Sequence, residues 1–599
     1  MMHGAVLVTP DGRKELQVKF RTSGPADRSL FSELAANERY QLAIRGDLLG
    51  CPGGEAPAGC AKRLLDRLSQ EGPALFRKLN GGFAAALFDR QSGELILVRD
   101  HLGVEALYFR LTDEGHTEFS TSLRALAAGA RFPEALDYDA LATYLTLNYN
   151  PSGRTLIRNV HKVPPGCLVR IQGSQVTCER YWSPDFGNKF SGSVGELIAE
   201  LRSQFDRAVR VRLPENEQVG VSVSGGMDSS TVMAFASQYR PGQLRAFSFR
   251  CPVETYDESH YASLVARHYG ATYEQVEYTP ERALAAAEMV RHMDEPQADL
   301  GIEVATFLLG QHASGKIEVL LTGDGGDELF AGHPVYLADR AARAWERVPA
   351  FARWPVTWVA RLIPESHRKS SLSVKLKRFV QGQRFPRAFH SNRWRLYYSP
   401  RELEALLSPG LWPQVREGAQ LAWLRELYAA LPWPDELDRA LFGDYYTVVQ
   451  FYLRRLSLLR AFGIRARCPL LDPQLVDFCA RIPGELKIPN SREQKYIQKK
   501  AMEGILPDAI VYRKDKLGHS VPMRKWLRED NVLSAEVRQT LLRNPRIVQW
   551  ELVRADRLEE MIRETSEGRH DHSHRLWALY VLELWLRSWE ELNLQDPVA

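Results

Sequence analysis

The sequence predicts an α/β protein with two domains, and three observations support this. Residues 1–185 consist mainly of short apolar runs separated by turns, which indicates a domain built on β-sheet. In residues 194–599 apolar runs first alternate with helical stretches, a pattern typical of a doubly wound parallel sheet, and later residues are mostly helical. A chain of 599 residues is also too long for one hydrophobic core. We therefore expect domains over 1–185 and 194–599.

Composition and charge narrow the class of protein. The chain is 44% hydrophobic and 25% charged, as is usual for globular proteins, and its net charge of +4 predicts no nucleic-acid partner. Its seven cysteines are scattered and include no CxxC pair, which favours a reducing compartment over a disulfide framework or zinc site. No signal peptide and no run of 18 apolar residues occurs. We expect a cytoplasmic protein without a membrane partner.

The N-terminal domain is predicted from its strands and turns. Apolar runs occur in AVLVT, LAIRGDLLG and FAAALFDRQSGELILVRD, where DRQSGE supplies a hairpin turn. A helical stretch begins near Ala135, and HKVPPGCLVRIQG predicts a further strand. The polar segment Asn188–Ser193 is the expected linker to the second domain.

The second domain opens with a glycine turn between a strand and a helix, in VGVSVSGGMDSSTVM from Val219. Such a turn forms an anion site, because the glycines let the backbone approach a phosphate and the first free N–H groups of the helix point at it. The serines add hydroxyl donors, and Asp228 is suited to a Mg²⁺ on the phosphates. A plain structural turn is the alternative. The stretch resembles the pyrophosphate loop of N-type ATP pyrophosphatases, which implies ATP binding by Ser222, Val223, Ser224, Gly225, Gly226, Asp228, Ser229 and Ser230, with Phe249, Gly323 and Asp324 from later strands.

A second glycine turn, LLTGDGGDELFAG, follows another apolar strand and carries carboxylates. Because parallel strands end at one edge of a sheet, Asp228 and Asp327 are predicted to share one Mg²⁺. The alternative is a surface turn rich in Asp and Gly. Asp294, Glu295 and Asp299, in MDEPQAD, are expected near the same edge.

These motifs resemble the asparagine synthetase B family. SGGMDSS, DEPQAD, LTGDGGDELFAG, RCPLLD and a distal YRKDK occur in the order and spacing typical of that family, and NGGFAAALFD with VRDHLGVEALYF resembles its glutaminase half. The resemblance implies an N-terminal Ntn-type αββα sandwich followed by an ATP-pyrophosphatase domain. It also implies that Lys516 is the lysine over the reacting phosphate. Lys514 is a competitor for this role, and Lys495 is either near the phosphates or on a solvated helix face.

Three positions depart from that family. Met2, His3 and Gly4 stand where the family has Met-Cys-Gly, and Arg45, Gly46 and Asp47 stand where it has the glutamine-holding Asn-Gly-Glu. An imidazole cannot replace a thiolate that forms an acyl-enzyme, so the sandwich is predicted to be a scaffold without glutaminase chemistry. Arg465 replaces a usual Glu and puts a pocket shaped for aspartate in doubt.

The resemblance implies adenylation of a carboxylate followed by amine attack, with Asp324 as the expected general base. Family members without the cysteine include lasso peptide macrolactam synthetases and β-lactam synthetases, and the latter have a tyrosine in place of Asp324. We expect a lasso-type ligase acting on a peptide or small-molecule carboxylate, with a leader peptidase and a leader-binding protein as candidate partners. An ammonia- or partner-fed asparagine synthetase-like amidotransferase and a catalytically dead scaffold remain alternatives. The basic region 341–395 is either a solvated surface or a surface for an acidic or peptide partner.

Overall fold

The structure is a computed structural model. It describes residues 1–8, 14–21, 30–50, 59–113, 115–253, 257–362, 372–415, 418–490, 493–516 and 521–595.

The N-terminal half consists of two stacked antiparallel sheets. Its strands are β1 (Met2–Val8), β2 (Lys14–Phe20), β3 (Phe31–Ala36), β4 (Tyr40–Gly50), β5 (Asn80–Asp89), β6 (Glu94–Arg99), β7 (Tyr108–Leu111), β8 (Thr117–Ser120), β9 (His161–Lys162), β10 (Cys167–Gln172) and β11 (Gln175–Arg180). The five-stranded sheet has the order β2-β1-β8-β7-β9, and the six-stranded sheet has the order β11-β10-β6-β5-β4-β3.

The apolar run of β5 shows why these sheets stack. Ala84 and Ala86 belong to the core between the two sheets, whereas Ala85 and Leu87 belong to the core on the other face of β5. Successive side chains of a strand point to opposite faces, so a continuous apolar run is required where both faces are covered. Helix α1 (Cys60–Glu71) contributes to the outer core, and α2 (Leu123–Leu126) packs on β7 and β8. The stacked sheets agree with the predicted sandwich, while its full αββα layering remains a prediction.

The second half is built on a parallel sheet. Its strands are β12 (Val219–Ser222), β13 (Arg245–Arg250), β14 (Thr272–Glu277), β15 (Val319–Leu321) and β16 (Arg465–Arg467), in the order β14-β13-β12-β15-β16. All four pairings are parallel. The chain proceeds from β12 outward to β14 and then crosses to β15 on the other side of β12. This reversal leaves a crevice at the carboxyl ends of β12 and β15, where ligands bind in such folds.

The remaining helices are α3 (Tyr138–Leu147), α4 (Val194–Arg210), α5 (Met227–Tyr239), α6 (Ser259–His268), α7 (Pro280–Ala283), α8 (Ala286–Met289), α9 (Ile302–Ala313), α10 (Gly326–Phe330), α11 (Pro334–Glu346), α12 (Ala350–Leu362), α13 (Leu372–Gly382), α14 (Pro400–Leu406), α15 (Ala419–Ala429), α16 (Glu436–Tyr446), α17 (Val448–Ser457), α18 (Pro473–Ala480), α19 (Gly484–Lys487), α20 (Tyr496–Met502), α21 (Asp508–Val511), α22 (Met523–Arg528), α23 (Val532–Leu542), α24 (Arg546–Gln549), α25 (Ala555–Ser566) and α26 (Ser573–Gln595). The helical character predicted for the later part of the chain is confirmed in these described segments.

One large core joins the two halves. Leu141 and Tyr144 of α3 belong to the same buried cluster as Trp577 of α26, and the Tyr144 hydroxyl donates a 2.7 Å hydrogen bond to the carbonyl of Ala578. The N-terminal half therefore covers an apolar surface of the second half.

Two expectations from composition have structural outcomes. Cys60 forms a disulfide and the five other described cysteines are free, so one disulfide is present where no disulfide framework was expected. In the described part of the chain, no helix combines the length and the apolar character needed to span a bilayer.

Candidate active site

The first glycine turn lies at the carboxyl end of β12, as predicted. Gly225 has a left-handed φ of 67°, and Gly226 is the N-terminal cap of α5. The backbone N–H of Ser224 donates to the Ser229 hydroxyl oxygen at 3.1 Å, which closes the turn against the first turn of α5. The side chain of Ser224 is exposed, whereas Asp228 and Ser229 are buried. This geometry provides helix N–H groups and a hydroxyl for an anion.

The second glycine turn packs directly on the first. A Cβ at Gly323 would lie 2.5 Å from the backbone nitrogen of Ser229, and a Cβ at Gly326 would overlap the Asp228 carboxylate. Only glycine at both positions permits this close approach. The packing brings Asp327, in the first turn of α10, beside Asp228 in the first turn of α5.

Two lysines from distant parts of the chain converge on these carboxylates. The Lys495 ammonium lies 2.5 Å from Oδ2 of Asp228 and 2.5 Å from Oδ1 of Asp327. The Lys516 ammonium lies farther away, at 3.6 Å and 4.0 Å from the same two oxygens. The side chain of Lys495 is 9% exposed, whereas that of Lys516 is 38% exposed. Lys495 is therefore a buried counter-ion and does not lie on a solvated helix face, while Lys516 remains accessible to a ligand.

The charges of this cluster stabilise one another. Burial alone would raise the pKa of Asp327, but the ammonium groups of Lys495 and then Lys516 hold that pKa well below its ordinary value. The Asp327 carboxylate raises the pKa of Lys516 most strongly, and the Asp228 carboxylate raises it further. The Asp327 carboxylate and the Lys516 ammonium are therefore both ionised at neutral pH.

The two carboxylates fit the predicted role of binding Mg²⁺. Asp228 and Asp327 converge closely enough to share one ammonium group, so they can equally share one cation. Within the described ranges no cluster of three or more His, Cys, Asp or Glu side chains could hold a metal alone. Mg²⁺ is usually bound through one or two carboxylates together with phosphate oxygens. The donor set therefore suits a magnesium ion that arrives with a nucleotide.

Asp324, the expected general base, follows β15 on the carboxyl side of the sheet. Its Oδ1 accepts a 2.6 Å hydrogen bond from the Arg455 guanidinium of α17. The guanidinium fixes the orientation of this carboxylate, and nothing in the sequence pattern indicated Arg455. The catalytic role of Asp324 remains a prediction.

The segment that carries Lys516 is anchored to the first glycine turn by Arg513. Its guanidinium donates to the carbonyl of Gly225 at 3.1 Å, stacks 3.7 Å above the Tyr261 ring and forms a salt bridge with Glu258. These contacts hold residues 513–516 over the turn. The sequence motif YRKDK pointed to this segment but not to the anchoring role of its arginine.

Some of the other predicted residues lie near the first glycine turn, and others contact the N-terminal half. Ser222 ends β12 and Val223 follows it, and Phe249 lies half-buried near the carboxyl end of the neighbouring β13. Ser230 lies in the first turn of α5 with its hydroxyl buried. Asp294 and Glu295 contact the N-terminal half: Asp294 accepts a hydrogen bond from the backbone N–H of Leu123, and Glu295 pairs with Lys162 of β9. Their place near the sheet edge stays a prediction.

The family departures in the N-terminal half have clear structural counterparts. Met2 points into the core between the sheets, so His3, the next residue of β1, points to the opposite face. Asp47 forms ion pairs with Arg465 (3.1 Å) and Arg467 (2.7 Å) of β16. Arg465 lies at the amino end of β16, and the crevice is at the other end of the sheet. The altered residue Arg465 therefore connects the domains and does not line the candidate active site.

Comparisons with known proteins agree with this architecture. The family model for asparagine synthase matches residues 200–587, and that for a glutamine amidotransferase domain matches residues 60–182. A putative asparagine synthetase (glutamine-hydrolyzing) of Mycobacterium tuberculosis is 28% identical over 543 residues, covering 88% of this chain and 80% of the relative.

Two further relatives extend the comparison. Asparagine synthetase (glutamine-hydrolyzing) 1 of Bacillus subtilis is 24% identical, with 85% of this chain and 77% of the relative covered. The amidase chyE of Penicillium rubens is 25% identical, with 76% and 71% covered. The asparagine synthase match covers more than half of the chain and includes both glycine turns and both lysines. The chain therefore belongs to the asparagine synthase family of carbon–nitrogen ligases.

Proposed function

We propose that this protein adenylates a carboxylate with ATP and joins it to an amine that does not come from glutamine, most specifically to form the macrolactam of a lasso-type peptide. The observation that carries this proposal is the engagement of Asp47. The side chain that replaces the family's glutamine-holding glutamate is committed to Arg465 and Arg467. A carboxylate held by two guanidinium groups is not available to bind the amine of a free amino acid.

The chemistry has two steps. In the first step, a carboxylate oxygen of the acid substrate attacks the α-phosphorus of ATP. The bond between this phosphorus and the oxygen that bridges to the β-phosphate breaks, and pyrophosphate leaves. In the second, the amine attacks the acyl carbon of the mixed anhydride, AMP leaves with the bridging oxygen, and the amine loses a proton. Asp324 is the candidate acceptor of that proton.

The side chains of the crevice suit these steps. The N–H groups at the start of α5 and the exposed Ser224 would bind the departing pyrophosphate. The accessible ammonium of Lys516 would neutralise charge that develops on the α-phosphate and on the acyl oxygen. Asp228 and Asp327 would hold Mg²⁺, which supplies charge neutralisation and orients the phosphates. The Lys495 ammonium bridges the two carboxylates and holds them in place.

Features outside the crevice favour a peptide substrate. Helices α11 and α12 follow directly after the second glycine turn, and α12 exposes the rings of Phe351 (81%) and Trp358 (50%). Aromatic side chains among the arginines of this region suit an extended peptide better than a single amino acid. Under this proposal a leader peptidase and a leader-binding protein are the expected partners, and the cytoplasm is the expected compartment.

A second candidate is an asparagine synthetase-like amidotransferase that receives ammonia or a partner's amine. The names of the bacterial relatives favour it. It uses the same ATP chemistry and differs only in the acid and the amine.

One assay separates these functions. The purified full-length protein is supplied with α-labelled ATP and Mg²⁺, and then with glutamine, with aspartate plus ammonia, or with a core peptide that has a free N-terminal amine and an internal Asp or Glu. We expect labelled AMP together with loss of one water from the peptide. Asparagine formed from aspartate and ammonia would favour the second candidate. Glutamate released in step with AMP, or ADP as the product, would contradict the proposal.

A further inference from the structure

A pocket of about 420 Å³ lies between the two halves of the protein, away from the ATP crevice. Its walls come from Met1, β4, residues 103–108, α2 and β9 on one side, and from residues 291–297 and the segment 453–461 on the other. It contains none of the residues assigned above to nucleotide or magnesium.

The walls of this pocket carry an excess of positive charge. Seven arginine and lysine side chains line it, against three carboxylates: Glu105, Asp294 and Glu295. Glu295 is paired with Lys162 at 2.7 Å and with Arg454 at 3.2 Å, and Glu105 is paired with Arg460. Asp294 accepts hydrogen bonds from the Ser122 hydroxyl at 3.2 Å and from the Leu123 N–H. Because the carboxylates already have partners, the pocket presents a net positive surface.

Two lining side chains have polar atoms without a partner. Gln297 is only 2% exposed, and neither its amide oxygen nor its amide nitrogen has a hydrogen-bond partner in the described residues. Nη1 of Arg124 is also buried without a partner there, although Nη2 bonds the Val290 carbonyl and the Ser588 hydroxyl. A buried amide or guanidinium N–H without a partner is costly, so such groups normally contact a ligand or water.

We infer that this pocket is a binding site for a small oxyanion, a carboxylate or a phosphate, bound by the Gln297 amide and the Arg124 guanidinium. The unpartnered donors supply hydrogen bonds, and guanidinium groups match the planar oxygens of such anions. A cation is disfavoured because Glu105 and Glu295 are ion-paired and Asp294 already accepts hydrogen bonds. A bound anion would compensate the positive excess at the junction and stabilise the two halves against each other.

The test is calorimetric titration of the full-length protein with inorganic phosphate and, separately, with malonate, at constant ionic strength. Phosphate could also bind the first glycine turn, so each titration is repeated with that turn occupied by a non-hydrolysable ATP analogue and Mg²⁺, and Lys516→Ala is a second control beside the turn. Gln297→Glu is nearly isosteric and places a negative charge in the pocket, and Arg124→Gln removes the guanidinium. Arg170→Gln, on the outside of β10, is the matched control for loss of one positive charge.

We expect saturable binding to the parent, to Lys516→Ala and to Arg170→Gln, weakened at least about tenfold in Gln297→Glu and Arg124→Gln. The preferred probe identifies the ligand as phosphate-like or carboxylate-like. Should Arg124→Gln fail to fold, Gln297→Glu alone decides. No binding by the parent, equal binding by Gln297→Glu, or loss of binding only in Lys516→Ala would each overturn the inference.

Discussion

Lys495 and Lys516 contact the same pair of carboxylates but are suited to different tasks. Lys495 has a left-handed φ of 57° and a buried ammonium held by both Asp228 and Asp327. A strained backbone at a non-glycine residue is maintained when the surrounding contacts require it, and it occurs preferentially at functional sites. Lys516 is more exposed and farther from the carboxylates, so its ammonium can turn toward a phosphate. We assign Lys495 to holding the site and Lys516 to the reacting groups.

Replacing Lys516 by alanine should lower kcat by about two to three orders of magnitude with little change in ATP binding, because its charge is needed mainly in the transition state. Lys516→Arg should recover little activity, since a planar guanidinium does not replace a compact ammonium. Single-turnover AMP formation and ATP-analogue binding are the measurements. Lys514→Ala is the control, and a mild Lys516→Ala defect beside an inactive Lys514→Ala would reverse the assignment.

Asp228→Asn and Asp327→Asn should each abolish AMP formation, because the shared cation needs a carboxylate ligand from both residues. Each variant also leaves Lys495 with one carboxylate partner fewer. The Mg²⁺ dependence of turnover should shift to higher concentration in any variant with residual activity. The exposed, ion-paired Asp556 offers a matched control, since Asp556→Asn removes a carboxylate far from the crevice. Near-parent activity in either active-site variant would disprove shared coordination.

The elements that build the site differ in how visible they are in the sequence. The two glycine turns could be predicted, because each is a local strand–turn–helix pattern and because parallel strands end at one edge of a sheet. Burial of Lys495 could not be predicted, since it depends on a backbone turn at residue 495 and on carboxylates more than 160 residues away. The contacts of Asp294 with Leu123 and of Glu295 with Lys162 could not be predicted for a related reason, because these partners lie on elements of the other half.

Arg513→Ala tests whether the segment 513–516 is positioned by its arginine. Loss of the bond to Gly225 and of the stacking on Tyr261 should let the Lys516 ammonium move away from the crevice. We expect kcat to fall by about tenfold to a hundredfold, less than in Lys516→Ala, because positioning is lost but the charge remains. Unchanged thermal stability would show that the effect is local. If kcat equals that of the parent, the segment is held by other contacts.

At the scale of the whole molecule, two family departures explain each other. Arg45-Gly46-Asp47 and Arg465 were each visible as altered positions, but Asp47 and Arg465 are 418 residues apart and their pairing required the structure. Asp472 adds a second connection: it accepts hydrogen bonds from Asn80 of β5 (3.2 Å) and Arg212 (2.7 Å). Conversion of a substrate-binding position into an interdomain ion pair is consistent with a sandwich kept for its structural role.

We therefore expect that deletion of the N-terminal sandwich destabilises the second half of the protein. α3 contributes Leu141, Tyr144 and Leu145 to the core shared with α26, and each of these side chains is at most 1% exposed. Deleting residues 1–180 would expose this apolar surface and leave Arg465 and Arg467 without Asp47, so the truncated protein should be insoluble. His3→Ala, which changes only the outer face of β1, should remain soluble and retain AMP formation. Sedimentation of both proteins after expression is the measurement. A soluble, monodisperse truncation with parent-like AMP formation would show that the second half folds and works without its partner.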